Sequence, residues 1–278
     1  MGLPKVSVVL PVYGYSRYLN ESIKSVLNQT LKDIEVIVIE DPKNGRLENE
    51  ATLEKYRHDS RIIYLKNESR QGLKHSLNKG LSYARADYIA RIDADDVSLP
   101  NRLLRQYNFL KESDAVVVGG SMIIIDEGGE VKGYRKYPEL IDGKAMLLRN
   151  LVADPAVMFD KKTILSLGGY NPEMRHGEAY DLWLRLLDKG YKIYSLPDYL
   201  IKYRYHQEGG KYTEFKKIVM DTMKLQLKAV RRYRNISYNI LFPIYFLAEI
   251  FFLVLPAKIG YSIFKRITVR GKLTKESA

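Results

Sequence analysis

Asp93, Asp95 and Asp96 crowd three carboxylates into four residues, directly after the apolar run Tyr88–Ile92. Like charges that close repel one another, and a cation among them removes the repulsion. An Asp-x-Asp on a tight turn offers hard oxygen ligands to Mg²⁺ or Mn²⁺, ions that keep free positions for substrate phosphates. Helix capping is the plainer use of such residues, but Ser98 and Pro100 already mark the start of the next helix. The turn therefore reads as a metal–diphosphate site.

Other chemistries are excluded by what the chain lacks. It has no cysteine, so disulfides, zinc–thiolate sites and cysteine nucleophiles are ruled out. Its four histidines include no His-x-x-x-His pair. The opening Met1-Gly-Leu-Pro-Lys runs straight into a strand, so no secretory signal is expected, and Val6 replaces the hydroxyl residue that myristoylation needs.

The elements that must hold the acidic turn alternate along the chain. Val6–Leu10, Glu35–Ile39, Ile62–Leu65 and Tyr88–Ile92 are strand-length apolar runs. Between and after them, helical spacing covers Tyr18–Thr30, Leu47–His58, Leu73–Ala86 and Pro100–Lys111. Leu19, Ile23, Val26 and Leu27 form one apolar face of the first helix. Such alternation predicts an α/β fold with a mainly parallel sheet covered on both sides, and ligands bound beyond the carboxyl ends of its strands. Three turns fall there: Pro11–Gly14, Glu40–Pro42 and Asp93–Asp96. Further on, strands are expected at Val116–Gly119, Met122–Ile125, Tyr191–Ser195 and Leu200–Tyr205. Helices are expected from Asp142, at Thr163–Leu167 and at Tyr180–Leu187.

Charge divides the chain in two. The net charge is +12, yet residues 211–278 hold 14 Lys+Arg against 4 Asp+Glu, leaving the first 210 residues with 31 against 29. A near-neutral body of residues 1–210 with a basic tail of 211–278 does not look like a nucleic-acid binder; it suits an anionic surface. Within the tail, Tyr212–Arg234 is amphipathic, with Phe215, Val219, Met223, Leu227 and Val230 beside a stripe of lysines. Ile240–Ala257 is almost wholly apolar, interrupted by Glu249 and punctuated by Pro243 and Pro256. Eighteen residues with basic flanks on both sides predict a helix in the membrane interface, or a shallow hairpin bent at Pro256. An oligomer interface or a helix packed on the core is the other use of that segment.

The motifs together resemble the family 2 glycosyltransferases, inverting enzymes of GT-A fold. The resemblance rests on Val6–Tyr13, the Asp41 turn, Asn78-Lys-Gly80, Ile92–Asp96 and Leu99-Pro-Asn-Arg102, then Gly168-Gly-Tyr170 and Asp181-Leu-Trp-Leu-Arg185. It spans about residues 4 to 208. It implies that Pro11, Val12 and Tyr13 wrap the base and ribose of a nucleotide sugar, and that Asp41 bonds the base as it would a uracil N–H. The stretch Glu40-Asp41-Pro42-Lys43 departs from the family's Asp-Asp-Gly-Ser, so Asp41 stays open between base contact and turn residue. Arg70 and Lys74 either approach the donor phosphates or form a solvated basic face. Asp93 and Ala94 would lie against the donor. Asp95, with Asp93 and His206, would hold Mn²⁺ or Mg²⁺.

Inverting transfer also needs a carboxylate base on the acceptor side. The family's base is the Asp of a Glu-Asp pair, and here that pair reads Glu178-Ala179. Alanine accepts no proton. Three explanations stand: a base deliberately replaced by alanine, Glu178 serving instead, or a pseudoenzyme that binds sugar nucleotides without turnover. Retention of every other motif favours the first. Asp181 is a further carboxylate in the same helix but looks structural, Arg185 suits a helix-face ion pair, and Trp183 divides evenly between core and function. The absence of a Gln-x-x-Arg-Trp motif favours single addition over processive synthesis, and the lack of a Gly-rich N-terminal loop argues against a nucleotidyltransferase. The expected acceptor is a glycan or polyprenyl-linked sugar at the cytoplasmic face of a membrane.

Overall fold

The computed structural model describes residues 2–206, 211–232 and 240–269. In chain order these begin with β1 (Val6–Tyr13), α1 (Leu19–Leu27), β2 (Ile34–Asp41), α2 (Glu50–Leu53), β3 (Ile62–Lys66), α3 (Leu73–Tyr83) and β4 (Tyr88–Arg91). There follow β5 (Val97–Ser98), α4 (Arg102–Glu112), β6 (Ala115–Ile125), β7 (Val131–Arg135), α5 (Gly143–Leu148), β8 (Met158–Asp160) and α6 (Lys161–Ser166). The last are α7 (Glu178–Asp188), β9 (Lys192–Arg204), α8 (Lys211–Arg232), α9 (Phe242–Val254) and α10 (Ala257–Val269).

The sheet runs β3-β2-β1-β4-β8-β6-β9-β5, with β7 pairing the later part of β6, beyond β8. The first four strands are parallel, β8 joins β4 and β6 antiparallel, and β6 with β9 forms a second parallel ladder. Period-two alternation sorts the core into two layers. Val9, Ile37, Ile39 and Ile89 face the layer holding α3 and α7. Val8, Leu10, Val36, Val38 and Ala90 face the layer holding α1 and α4. In α1, Leu19, Ile23 and Val26 are buried as their spacing predicts, each contributing roughly 1.5–3 kcal/mol.

Three expectations change. The helix expected over 47–58 is reduced to α2 and a single 3₁₀ turn, because the Glu48 and Asn49 amides bond the Glu40 carboxylate at 2.7 and 3.0 Å. The two short strands expected within 116–125 are one strand, and so are the two late ones, which pair along β6–β9 with register shifts near Gly120. Gly120 permits this because Leu200 occupies its side-chain space: a Cβ there would lie 2.3 Å from Leu200 Cδ1.

The tail is drawn into the body. α8 buries Phe215, Val219 and Met223 beneath α9 and α10, while Leu225 and Ala229 join the main core. Leu227 and Val230, expected on the first face, are only half-buried, because α8 is covered on two sides. α9 and α10 form a hairpin that breaks at Leu255-Pro256. Among the described residues no helix is long and apolar enough to cross a membrane.

Candidate active site

A cavity of about 650 Å³ opens at the carboxyl ends of β1, β2 and β4. It is lined by Pro11, Val12, Tyr13, Asp41, Arg70, Asp93, Ala94, Asp95 and His206, with part of the loop before α1. Three separate turns and the end of β9 thus converge on one site.

On the β1–β2 side, the Arg70 guanidinium lies 4.8 Å from the centre of the half-exposed Tyr13 ring. Asp41 is buried and already well occupied. Its Oδ1 accepts from Asn67 Nδ2 at 3.0 Å and the Gln71 amide at 2.8 Å, while Oδ2 accepts from the Gly72 amide at 2.8 Å. Asp41 therefore shapes the loop into α3, where Gly72 takes φ +85°. The loop before α1 is fixed from outside: the Tyr15 amide donates to Glu48 Oε2 at 2.7 Å and the Ser16 amide to Asn49 Oδ1 at 3.1 Å. The departure at Glu40–Lys43 thus supports the β1 loop through residues 48 and 49.

The acidic turn divides its labour. Asp93 accepts from Arg91 Nη2 at 3.0 Å, and Asp95 Oδ2 stands 2.7 Å from His206 Nε2. Asp96 points inward and is wholly buried; Oδ1 accepts from the Arg204 amide at 2.8 Å and Oδ2 has no partner among the described residues. Burial first, then the Asp93 and Asp95 charges, push the Asp96 carboxyl well above the usual range. Two carboxylates and one imidazole therefore face the cavity. Among the described residues no three His, Cys, Asp or Glu side chains are set to hold a metal. Mg²⁺ and Mn²⁺ commonly bind through one or two carboxylates and take the rest from phosphates and water; of the expected donors the structure brings Asp95 and His206 together, while Asp93 is turned to Arg91.

Arg204 ties this side together, and sequence reasoning missed it. Its Nε donates to the Asp95 carbonyl at 2.9 Å and Nη2 to Glu21 Oε2 at 2.6 Å, while the guanidinium lies 4.0 Å from the Tyr18 ring centre. The available signal was an arginine at the end of an apolar strand, two residues before His206.

α7 starts from Gly177, whose φ of +77° is left-handed. Glu178 is half-buried, and its charge reaches Arg91, Tyr170 and Asp154. Burial alone would lower the Arg91 pKa, but Asp93 foremost, then Tyr170, Asp154 and Glu178, hold it raised. Ala179 lies in the apolar core at 3% exposure. Asp181 is placed away from the chemistry: it is buried and bonds Arg185 Nε at 2.8 Å and Lys228 Nζ at 3.3 Å, a helix-pinning role. Lys74 also departs from expectation, because its ammonium donates to the Met174 carbonyl and does not line the cavity. Trp183 is fully buried and donates from Nε1 to Asp154 Oδ1 at 2.7 Å. Burial raises the Asp154 pKa, against the pull of Arg91, Trp183 and Asn150.

Comparison with known proteins agrees with this geometry. The sequence model of Glycosyl transferase family 2 matches residues 7–163. An uncharacterized glycosyltransferase of Methanocaldococcus jannaschii is 34% identical over 222 residues, spanning 78% of this chain and 76% of its own length. The O-antigen biosynthesis glycosyltransferase WbnJ of Escherichia coli is 37% identical over 213 residues, spanning 74% and 82%. The crystal structure of S. aureus TarS 1–349 in complex with UDP has a TM-score of 0.64 at 17% identity, covering 93% of this chain and 75% of that one. That likeness bears on the fold, which is the expected GT-A α/β arrangement. The chain belongs to the family 2 glycosyltransferases.

Proposed function

We propose that the protein transfers a single sugar, with inversion, from a UDP-sugar to a hydroxyl of a glycan or lipid-linked acceptor. The observation that carries this reading is the cavity at the carboxyl ends of β1, β2 and β4, on which Pro11–Tyr13, Asp93, Asp95 and His206 converge. Base and ribose would sit against Tyr13 and Arg70. Asp95 and His206, with Asp93, would hold Mn²⁺ or Mg²⁺, which when bound stabilises the negative charge of the departing diphosphate. Glu178 would take the acceptor proton, since it is the half-buried carboxylate at the start of α7 and Ala179 has none. Arg91 keeps Asp93 fixed while the acceptor enters from the α7 side.

Calorimetry with UDP and GDP, with and without Mn²⁺, tests the reading. UDP should bind tighter than GDP, and only strongly with Mn²⁺. Failure to bind UDP, or equal binding without metal, would overturn it.

We further place the protein on the cytoplasmic face of a membrane as part of this proposal. α9 exposes Ile244, Leu247, Phe251 and Val254 to solvent, an apolar stripe of the kind that marks an interaction surface. Thirteen residues make a helix about 20 Å long, short of a bilayer core of about 30 Å, so the hairpin would lie in the interface. Full-length protein should float with anionic vesicles, and a Leu247→Asp/Phe251→Asp variant should not. If that variant instead only abolishes a dimer, the stripe is an oligomer interface and the membrane placement falls.

A further inference from the structure

We propose that a second cleft, between residues 173–175 and α8, binds the phosphate-bearing head of the acceptor, with Lys217 and Lys224 as its mobile anion contacts. The inference rests on the transferase reading above and deepens it, naming the acceptor class and its seat.

The cleft encloses about 440 Å³. Its walls carry four cations, Arg175, Lys217, Lys224 and Lys228, against two carboxylates, Glu173 and Asp221, with Glu214 at its edge pairing with Arg175 and Lys217. Met174, Met220 and Leu225 supply the rest, with no amide or aromatic side chain in the lining among the described residues. Neutral sugars are usually gripped by amides, carboxylates and aromatic faces. Cations over flexible thioethers suit an anionic group attached to apolar chain.

Its position joins it to the chemistry. A Cβ on Gly177 would lie 3.1 Å from Leu225 Cδ1, so α8 packs directly on the turn that opens α7. Glu178 is the next residue, and Lys228 bonds Asp181 within the first turn of α7. Lys74 grips the Met174 carbonyl, fixing the loop that also forms a wall of the cleft. An acceptor hydroxyl presented to Glu178 would thus trail the remainder of its molecule along α8.

Arg175 and Lys228 are held by Glu214 and Asp181, and the two remaining cations are exposed. Lys217 and Lys224 are 48% and 70% exposed and, among the described residues, pair along the helix with Glu214 at 2.9 Å and Asp221 at 3.2 Å. Exposed pairs of this kind contribute little to stability. Asp221 also keeps His176 Nδ1 at 2.9 Å when Lys224 turns away. A phosphate can therefore displace these pairings at small cost.

The test uses the full chain saturated with UDP and Mn²⁺, so that the donor cavity is filled, titrated calorimetrically with geranyl phosphate, inorganic phosphate and geraniol. Geranyl phosphate should bind, geraniol should bind at least about tenfold more weakly, and Lys217→Gln/Lys224→Gln should weaken geranyl phosphate at least about tenfold without altering UDP affinity. Geranyl phosphate binding tighter than phosphate assigns a lipid phosphate; equal binding assigns a soluble sugar phosphate. No binding of either phosphate, equal binding of geraniol, or indifference to the double variant overturns the proposal. Should the double variant misfold, Lys224→Gln alone gives the same reading. If UDP itself does not bind, the transferase reading fails first, and the same titration without UDP still decides whether this cleft holds phosphate.

Discussion

His206 Nε2 lies 2.7 Å from Asp95 Oδ2 across 111 residues of sequence. The contact forms because β9 ends beside the acidic turn, where Arg204 bonds both the Asp95 carbonyl and, through its own amide, Asp96. A hard oxygen and an imidazole thereby face the same cavity.

The first prediction concerns that pair. Chelation with EDTA should abolish sugar transfer, and Mn²⁺ should restore it. Asp95→Asn should lower kcat/KM by at least about 10²-fold, since Lewis-acid stabilisation is worth several kcal/mol. His206→Gln should cost about 10–100-fold, with the required Mn²⁺ concentration raised. Measured UDP release that is unaffected by EDTA and by both substitutions would remove the metal from the mechanism.

Much of this site was legible because its residues sit where alternation predicts, at strand ends. Pro11–Tyr13, Asp41 and Asp93–Asp95 all reach the one cavity. What could not be read was how side chains spend their bonds. Asp41 looks available in sequence, yet three protein donors from residues 67–72 converge on it. Lys74 reads in sequence as either a phosphate contact or part of a solvated basic face, yet a carbonyl 100 residues away takes its ammonium. Two motifs that were unexplained singly prove to be partners: Asn78 exchanges hydrogen bonds with the Tyr170 backbone at 2.7 and 2.9 Å. The tail misled for a related reason. Periodicity showed one apolar face on α8, but a helix buried from two sides reads as amphipathic when its second face is short and holds Gln226 and Ala229.

The second prediction separates the candidate bases. Glu178→Gln should reduce transfer by about 10²–10⁴-fold with UDP affinity unchanged, the signature of a group acting on the acceptor proton. Ala179→Asp should destabilise the fold without raising the rate, since it places a carboxylate in an apolar cluster at a site 3% exposed. A large gain of activity in Ala179→Asp would instead mark 179 as the seat of a missing base. Rates and urea midpoints measured on both variants decide the matter.

The third prediction weighs two opposing effects at Gly80, inside α3. Alanine favours an exposed helix interior over glycine by about 1 kcal/mol. Here a Cβ would lie 2.5 Å from Val9 Cγ1, 3.0 Å from Val9 Cγ2 and 3.1 Å from Ile39 Cδ1. Val9 is β-branched and held in β1, so it cannot simply turn aside. Overpacking of this kind costs about 1–3 kcal/mol, and the net effect of Gly80→Ala should be a loss of stability in chemical denaturation. Because β1 carries Pro11–Tyr13 into the cavity, weaker UDP binding should accompany it.

The fourth prediction is a pH dependence. Glu249, on the apolar helix α9, accepts from Gln226 Nε2 at 3.2 Å, while Glu249 Oε2 and Gln226 Oε1 have no partner among the described residues. A proton on Glu249 supplies the donor this pair lacks. Burial pushes the Glu249 carboxyl up to about 7 from an ordinary 4.5, against the bond from Gln226. Its folded pKa is raised, so its contribution to stability is fully present below about pH 4.5 and is lost as pH rises through about 7. Glu249→Gln keeps a neutral group with a donor and should remove that loss. The Tm of the parent chain should therefore fall more steeply than that of Glu249→Gln between pH 5 and about pH 8. Parallel melting curves over that interval would show that the hairpin is not docked through a protonated Glu249.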